Sequence, residues 1–179
     1  MTLPYSLRAA TPDDAPALLA IYRPFVESTA ISFEQVSPSV DDFSARIAKA
    51  LTKWQWLVAV ENGEILGYAY GSTHRDRYGY RLSVEVSAYV DPRRQRRGIG
   101  KALYARLFSD LAALGYCNAY AGITLPNAGS VALHEGVGFE RIGLFPRVGH
   151  KFGQWHDVAW YHRPLLEGPP LEGEFRPVV

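Results

Sequence analysis

The sequence predicts an α+β domain built on a mixed β-sheet, and two observations favour this fold class. Strand patterns joined by a hairpin turn come early in the chain, and later strand patterns alternate with helical ones. The chain has 179 residues, 47% hydrophobic and 21% charged, enough for one core but too few for two comfortable ones. We therefore expect a single domain over residues 1–165 and a flexible tail over residues 166–179.

The first third of the chain predicts a short strand and two helices. Residues 7–10 have a strand pattern. Thr11 and Pro12 are the residue types that suit an N-cap and a first helical position, and apolar residues recur at helical spacing as far as Phe25. A Ser-Pro pair gives the same start signal for a second helix over residues 37–51.

The middle of the chain predicts a β-hairpin, a polar loop and a further strand. Residues 54–60 and 65–71 have strand patterns, and Asn62-Gly63 between them tolerates positive φ at both central turn positions. A polar, aromatic loop over residues 72–81 leads into a strand over residues 82–90. The remaining elements are a helix over 98–114, a strand over 117–124, a short helix over 127–137, and strands over 139–145 and 157–161.

Charge and composition exclude several classes of function. The formal net charge of +1 gives no general electrostatic reason to bind nucleic acid or membranes. The N-terminus lacks the features of a secretory signal, and no run approaches the roughly 18 apolar residues of a membrane span, so we expect a cytoplasmic location. His150, His156 and His162 lack ligand spacing with cysteine or acidic partners, so we predict no metal.

One loop concentrates the features of a phosphate site. A strand ends at Asp91-Pro92, and a glycine-containing loop then opens the clearest helix of the chain. Backbone N–H groups at a helix start bind anions, and Gly98 and Gly100 would let the main chain approach the ligand closely. Arginines on both sides add positive charge and directed donors.

Three phosphate motifs compete for this loop. The Walker A pattern fails at residues 95 and 102, and the dinucleotide pattern G-x-G-x-x-G fails at Leu103. The pattern Q-x-x-G-x-G fits as Gln95-Arg96-Arg97-Gly98-Ile99-Gly100, which resembles the pyrophosphate-binding loop of the GNAT superfamily of N-acetyltransferases.

Further motifs narrow this resemblance. Residues 127–130 followed by 133–139 resemble the second signature of the superfamily, an Asn-led helix that ends in Gly-Phe. Residues 84–90, 133–135 and 148–157 are similar to the phosphinothricin/methionine sulfoximine acetyltransferase subgroup. The resemblance implies a mixed, mostly antiparallel twisted sheet that is splayed at its centre and flanked by helices. It also implies acetyl transfer from acetyl-CoA to the amine of a small amino-acid-like acceptor by direct attack in a ternary complex, and we expect a homodimer.

The resemblance assigns the catalytic and cofactor residues. Glu85 is placed as the base that deprotonates the acceptor amine, and His134 occupies the position of the group that protonates the departing thiolate. Which of the two is base and which is acid stays open. The acetyl-CoA site implied by the resemblance comprises Ala88, Tyr89, Val90, Arg96, Arg97, Gly98, Ile99, Gly100, Lys101, Asn127 and Ser130.

The loop before the catalytic strand is the candidate acceptor site. Arg75 and Arg77 have the geometry to bind a carboxylate through two parallel hydrogen bonds. Tyr80, Ser87 and Phe33 are the candidate pocket residues, although a plain core role suits Phe33 nearly as well. Residues 151–155 are expected to form a lip over the pocket or a dimer contact.

Two rival functions stay open at this point. The same chemistry could act on a peptide or protein amine, although the aromatic, arginine-rich loop favours a closed pocket over an open groove. Alternatively, the chain could be a non-catalytic acetyl-CoA-binding sensor, against which the presence of both Glu85 and His134 argues.

Overall fold

In the computed structural model, which describes residues 3–168, seven strands form one mixed sheet. The strands are β1 (Ser6–Ala9), β2 (Trp56–Glu61), β3 (Glu64–Thr73), β4 (Ser83–Val90), β5 (Asn118–Thr124), β6 (Glu140–Lys151) and β7 (Gln154–Pro164). Their spatial order is β1-β2-β3-β4-β5-β7-β6, and every neighbouring pair is antiparallel except β4 and β5. The predicted mixed, mostly antiparallel sheet is confirmed.

Four α-helices lie against the sheet within these residues. They are α1 (Ala15–Ser28), α2 (Val40–Leu51), α3 (Ile99–Ala113) and α4 (Ala128–Gly136). Tyr22 of α1 packs edge-on against Tyr89 of β4, and Phe43 of α2 packs edge-on against Trp56 of β2. An aromatic layer thereby joins α1 and α2 to the sheet, while α3 contacts β2, β3 and β4 and α4 contacts α3.

The sheet is splayed at its centre, where the two parallel strands meet. β4 and β5 pair only from Ser83 with Asn118 to Glu85 with Tyr120. Beyond Glu85, β4 continues to pair with β3 on one side, but β5 no longer follows it on the other. The second half of β4 therefore presents main-chain groups to a gap in the sheet, as the family resemblance implies.

The first helix starts later than the sequence predicts. Residues Pro12–Asp14 form a 3₁₀ turn, and the α-helix begins at Ala15. The carboxylate of Asp14 accepts hydrogen bonds from Arg8 at 2.7 and 2.8 Å and from the N–H of Thr11 at 2.8 Å. These bonds anchor the tighter first turn to β1.

The last hairpin is longer than predicted. The sequence pattern indicates strands over 139–145 and 157–161, whereas β6 and β7 extend to a two-residue turn at Phe152-Gly153, with φ of 52° and 73°. β6 is an edge strand that is mostly exposed, and its register with β7 shifts twice. Exposure and register shifts interrupt the apolar alternation from which a strand is predicted.

Lys151, at the end of β6, does not form part of a lip. Its side chain is buried, and Nζ donates to the carbonyl oxygens of Val26 and Ser32 at 2.5 and 2.7 Å. Burial lowers the pKa of its ammonium group. The expectation for residues 151–155 is therefore wrong at this position, because Lys151 ties the hairpin to the last turn of α1 and to the connection that follows it. Phe152 and Trp155 are exposed.

The expected tail begins within the described residues. The N–H groups of Leu165 and Leu166 donate to the carbonyl oxygen of Cys117 at 2.8 and 3.4 Å. Residues 169–179 of the expected tail lie outside the described residues. None of the helices between residues 3 and 168 has the length and apolar character needed to cross a bilayer.

Candidate active site

Glu85 lies where the sheet opens, at the last paired position of β4 and β5. Its side chain is 28% exposed. Burial raises the pKa of its carboxyl group, and the hydrogen bond and charge of His74 together with the charge of Arg75 partly oppose this rise. A carboxylate with a raised pKa is a stronger base, which suits a group that must take a proton from an amine.

His74 contacts Glu85 directly, and the sequence analysis did not identify it as a site residue. Nδ1 of His74 is 3.0 Å from Oε1 of Glu85. The imidazole stacks on the ring of Tyr120, with centroids 4.4 Å apart and planes 10° from parallel. Tyr120 is itself the register partner of Glu85 on β5. Because β4 and β5 are distant in the sequence, the contact between His74, Tyr120 and Glu85 could have been found only by predicting how these strands pair.

The structure places part of the predicted acceptor site beside Glu85. A terminal nitrogen of Arg75 is 3.7 Å from Oε1 of Glu85, and its guanidinium carbon is 5.9 Å from the ring centre of Trp160. Tyr80 lies edge-on to His74 at 6.0 Å. Arg77 is exposed in the same loop.

Two other predicted acceptor residues lie further from the loop. Ser87 follows Glu85 on the same face of β4 and hydrogen-bonds to Tyr70, its register partner on β3. Phe33 packs against the last hairpin, 6.2 Å from the ring of His156. A Cβ atom at Gly149 would overlap the ring of Phe33, so glycine makes room for it there.

The start of α3 has the geometry of an anion site. Gly98 is the N-cap residue with φ of 75°, a left-handed conformation that favours glycine. The N–H of Ala102 donates to the carbonyl oxygen of Gly98 at 3.0 Å, so the N–H groups of residues 99–101 precede the first helical bond. Groups in this position are available to phosphate oxygens.

Gly100 also lies close to a side chain of α4. A Cβ atom at this position would lie 2.9 Å from Cδ2 of Leu133 on α4. The absence of a side chain therefore allows α3 and α4 to pack closely. The approach of a ligand to the main chain at Gly100 stays a prediction beside this packing role.

Most arginines around this loop are already paired. Arg93 binds Asp91, Arg94 binds Glu64, and Arg97 binds Glu61 through two hydrogen bonds of 2.6 and 3.0 Å. Arg96 and Lys101 are exposed and have no hydrogen-bond or ion-pair partner within residues 3–168. These two side chains are the cations that remain available to a pyrophosphate group.

His134 is buried between α3 and α4. Its Nδ1 is 2.7 Å from the carbonyl oxygen of Ser130, and its Nε2 is 2.9 Å from the hydroxyl of Tyr104. A carbonyl only accepts, so Nδ1 carries the proton in the neutral ring and Nε2 accepts from Tyr104. Burial lowers the pKa of His134 and favours this neutral form. Proton transfer by His134 therefore requires one of these bonds to open.

Asn127 and Ser130 also have structural partners. Oδ1 of Asn127 accepts from the N–H of Ser130 at 3.1 Å and caps α4. The hydroxyl of Ser130 is 3.3 Å from Nδ1 of His134.

In the described part of the chain, no group of three or more His, Cys, Asp or Glu residues is arranged to hold a metal ion.

Comparison with known proteins agrees with this geometry. Residues 7–160 match the family described as "Acetyltransferase (GNAT) domain". The chain is 38% identical over 168 residues to a phosphinothricin N-acetyltransferase of Streptomyces coelicolor, covering 92% of this chain and 98% of that protein. It is 35% identical over 163 residues to an L-methionine sulfoximine/L-methionine sulfone acetyltransferase of Salmonella typhimurium, covering 90% and 95% of the two chains.

A solved structure extends the likeness to three dimensions. The crystal structure of a GNAT superfamily phosphinothricin acetyltransferase from Sinorhizobium meliloti, in complex with AcCoA, superimposes with a TM-score of 0.90. The two sequences are 36% identical, and the match covers 96% of this chain and 95% of the other.

Proposed function

The chain belongs to the GNAT family of acetyltransferases and uses acetyl-CoA as its acetyl donor, and from this premise we propose that it acetylates the amine of a small amino acid. The relatives described above are named for phosphinothricin and for methionine sulfoximine or sulfone, and we extend this acceptor class to the present chain. The observation that carries the proposal is the position of Glu85, a half-buried carboxylate at the opening of the sheet with Arg75 beside it.

Acetyl-CoA supplies an activated acetyl thioester, and the start of α3 and the second half of β4 are the proposed binding sites of its pyrophosphate and its pantetheine arm. The N–H groups of residues 99–101, with Arg96 and Lys101, are proposed to hold the pyrophosphate. The free edge of Ala88, Tyr89 and Val90 would pair with the pantetheine arm in the manner of an added strand. One main-chain N–H there would donate to the thioester carbonyl oxygen, a contribution typically worth about 3 kcal/mol of barrier.

Glu85 has one oxygen free to accept a proton. His74 binds Oε1, whereas Oε2 has no partner among residues 3–168. The acceptor ammonium group must lose a proton before its nitrogen can attack, and Oε2 is proposed to take that proton directly or through water. His74 keeps the carboxylate oriented while this happens.

His134 remains the proposed donor to the departing thiolate. To donate a proton, its ring would first have to take up a second proton at Nε2 and open its bond to Tyr104, whereas its burial and its bonds to Tyr104 and Ser130 fit a structural role as they stand. A His134→Ala variant that keeps the wild-type rate at every pH would assign it the structural role.

Arg75 is the proposed partner of the acceptor carboxylate. Its guanidinium lies on the same side of Glu85 as His74, so a carboxylate bound there would hold the neighbouring α-amine near Glu85. Arg77, exposed in the same loop, is proposed as a second cation for the acceptor.

A homodimer and a cytoplasmic location stay proposals, and the exposed face of β6 supports the homodimer. This edge strand, its turn and the start of β7 carry large apolar side chains that are 41–60% exposed: Ile142, Leu144, Phe145, Val148, Phe152 and Trp155. An apolar edge strand of this kind is commonly covered by a partner. Light scattering should give a dimer mass for the wild type and a monomer mass for Val148→Glu; a monomeric wild type would contradict the dimer.

A thiol-release screen tests the proposed function. Methionine sulfone, methionine sulfoximine and phosphinothricin should release CoA from acetyl-CoA faster than their decarboxylated amines. A peptide with a free N-terminus that is acetylated faster than all of these would favour the peptide alternative. CoA release by no amine would favour the non-catalytic sensor.

A further inference from the structure

The connection between α1 and α2, residues 29–39, crosses the open part of the sheet. At its start, α1 packs against β4 through Tyr22 and Tyr89, and at its end α2 packs against β2 and β3. Between the two helices the connection reaches β7, where the ring centre of Phe33 lies 6.2 Å from that of His156. In the order of the sheet, β5 and the gap beside β4 lie between these contacts. We name residues 29–39 the strap.

The strap lies on the face of the sheet that carries Glu85. Tyr89 projects to the same side of β4 as Glu85, because an even number of residues separates the two. Glu85 is the register partner of Tyr120, and Tyr120 is that of His162. His156 alternates to the same side of β7 as His162. The strap therefore covers the opening at which the acceptor amine and the thioester are proposed to meet.

Two neighbouring residues of β6 contact the strap. Gly149 leaves room for the ring of Phe33, which a Cβ atom at this position would overlap. The carbonyl oxygen of His150 accepts a hydrogen bond of 3.4 Å from the side-chain amide of Gln35. The end of β6 thus holds the strap on the side of the gap opposite to α1.

Lys151, the next residue of β6, joins the strap to α1 through a buried ammonium group. Its side chain is 1% exposed, and Nζ donates to the carbonyl oxygens of Ser32 in the strap and Val26 in the last turn of α1. Glu34, the acid of the strap, is bound to Arg46 instead. A buried charge without an opposite charge is costly, and an apolar residue could fill the same space. The cost indicates that the ammonium group is needed to fasten the strap.

The turn after Lys151 is a second sign that this charge is needed. The turns Asn62-Gly63 and Phe152-Gly153 have nearly the same conformation, with φ of 51° and 82° in the first and 52° and 73° in the second. Asparagine tolerates a left-handed conformation, whereas a bulky phenylalanine is strained in it. The ring of Phe152 lies 5.0 Å from Nζ of Lys151, close enough for a cation–π attraction. The strained residue therefore partners the ammonium group that fastens the strap.

We propose that Lys151 is a positioning residue for the acceptor site: its ammonium group fastens the strap, so that an amino acid enters a site whose cover is already in place. This role rests on the proposed function, because it concerns binding of the amino acid. A loose strap must be ordered when the amino acid binds, and the apparent affinity falls with the fraction of molecules in which the strap is closed. Acetyl-CoA, proposed to bind along β4 and at the start of α3, should be spared.

Two substitutions loosen the strap in different ways. Lys151→Met keeps an unbranched side chain in the same space and removes the N–H donors. Gly149→Ala adds a Cβ atom that would overlap the ring of Phe33. Lys53→Met is the matched control: Lys53 is exposed and its Nζ also lies near an aromatic ring, 6.0 Å from that of Trp54, but it follows α2, whereas the strap precedes that helix.

Two measurements are made on each variant once thermal melting has shown that it is folded. Initial rates with methionine sulfone at saturating acetyl-CoA give kcat and KM, and amide hydrogen exchange reports the protection of residues 29–39. Lys151→Met and Gly149→Ala should each raise the KM for methionine sulfone about tenfold and speed exchange in the strap. The KM for acetyl-CoA should stay within about twofold of the wild type. Lys53→Met should change none of these quantities.

An unchanged KM for methionine sulfone in folded Lys151→Met, or in Gly149→Ala if the first variant does not fold, would overturn the positioning role while acetyl transfer stands. Unchanged exchange of residues 29–39 in the same variant would do the same. A lower kcat with both KM values unchanged would also overturn it, because that pattern reports a loss of active enzyme and hence a purely structural role. A wild type that acetylates no amino acid would overturn the proposed function, and the positioning role with it.

Discussion

Replacing His74 by phenylalanine should raise the pKa of Glu85 without disturbing its surroundings. A phenyl ring can keep the stacking on Tyr120, where the centroids are 4.4 Å apart, but it cannot make the 3.0 Å contact from Nδ1 to Glu85. Burial already raises the pKa of Glu85, and the His74 hydrogen bond opposes that rise. Its loss must therefore raise the pKa further.

The sign and size of the effect on rate follow from the ionised fraction of Glu85. A base with a higher pKa is protonated over a wider acidic range, so kcat/KM on the acid limb falls while the plateau at higher pH is preserved. A hydrogen bond to a charged group contributes about 1.5–3 kcal/mol, equivalent to about ten- to a hundredfold. Because Glu85 is 28% exposed, solvent screening weakens this interaction, so we expect kcat/KM on the acid limb to fall about tenfold.

The assay is thiol release from acetyl-CoA with methionine sulfone as a function of pH. His74→Gln is the conservative variant, because its side-chain amide can still donate to Glu85, and it should move the acid limb back toward the wild-type position. Since residue 74 and Glu85 are in contact, the acid limb of the pH profile reports the titration of both groups together. A His74→Phe profile that coincides with the wild type at every pH would refute the role assigned to His74.

Four further substitutions, with Arg93→Ala as a control, test the remaining parts of the site. Glu85→Gln should reduce kcat about 100-fold or more while acetyl-CoA binding, measured by calorimetry, hardly changes. Arg96→Ala and Lys101→Ala should each raise the KM for acetyl-CoA about tenfold, whereas Arg93→Ala should not, since Arg93 is bound to Asp91; equal effects would contradict the charge assignment. Arg75→Ala should raise the KM for amino acids about ten- to a hundredfold and spare acetyl-CoA; acceptance of decarboxylated amines as readily as amino acids would contradict carboxylate recognition.

Local signals in the sequence predicted much of the fold. Asn62 and Gly63 form the predicted hairpin turn, with φ of 51° and 82°, because their turn preference depends on backbone sterics alone. Gly98 likewise adopts a left-handed conformation at the start of α3. The splayed sheet was expected only from the family resemblance, since no local sequence pattern indicates where β4 and β5 separate.

The parts of the site that depend on distant contacts could not be predicted. His74 meets Tyr120 and Glu85 only because β3, β4 and β5 pair in one particular register. The tight approach of Gly100 to Leu133 depends on how α3 packs against α4. The identity of the free cations at the phosphate loop depends on carboxylates more than 25 residues away in the chain, such as Glu61, which is 36 residues from Arg97.

The central claim is that the chain transfers an acetyl group from acetyl-CoA to the amine of an amino acid. Mass spectrometry of the purified protein with acetyl-CoA and methionine sulfone, together with quantification of free CoA, tests this claim most directly. We expect N-acetylated methionine sulfone and CoA in equal amounts, with the rates of formation of both products reduced together about 100-fold or more in Glu85→Gln. Release of CoA without an acetylated amino acid, or no release with any amine, would contradict it.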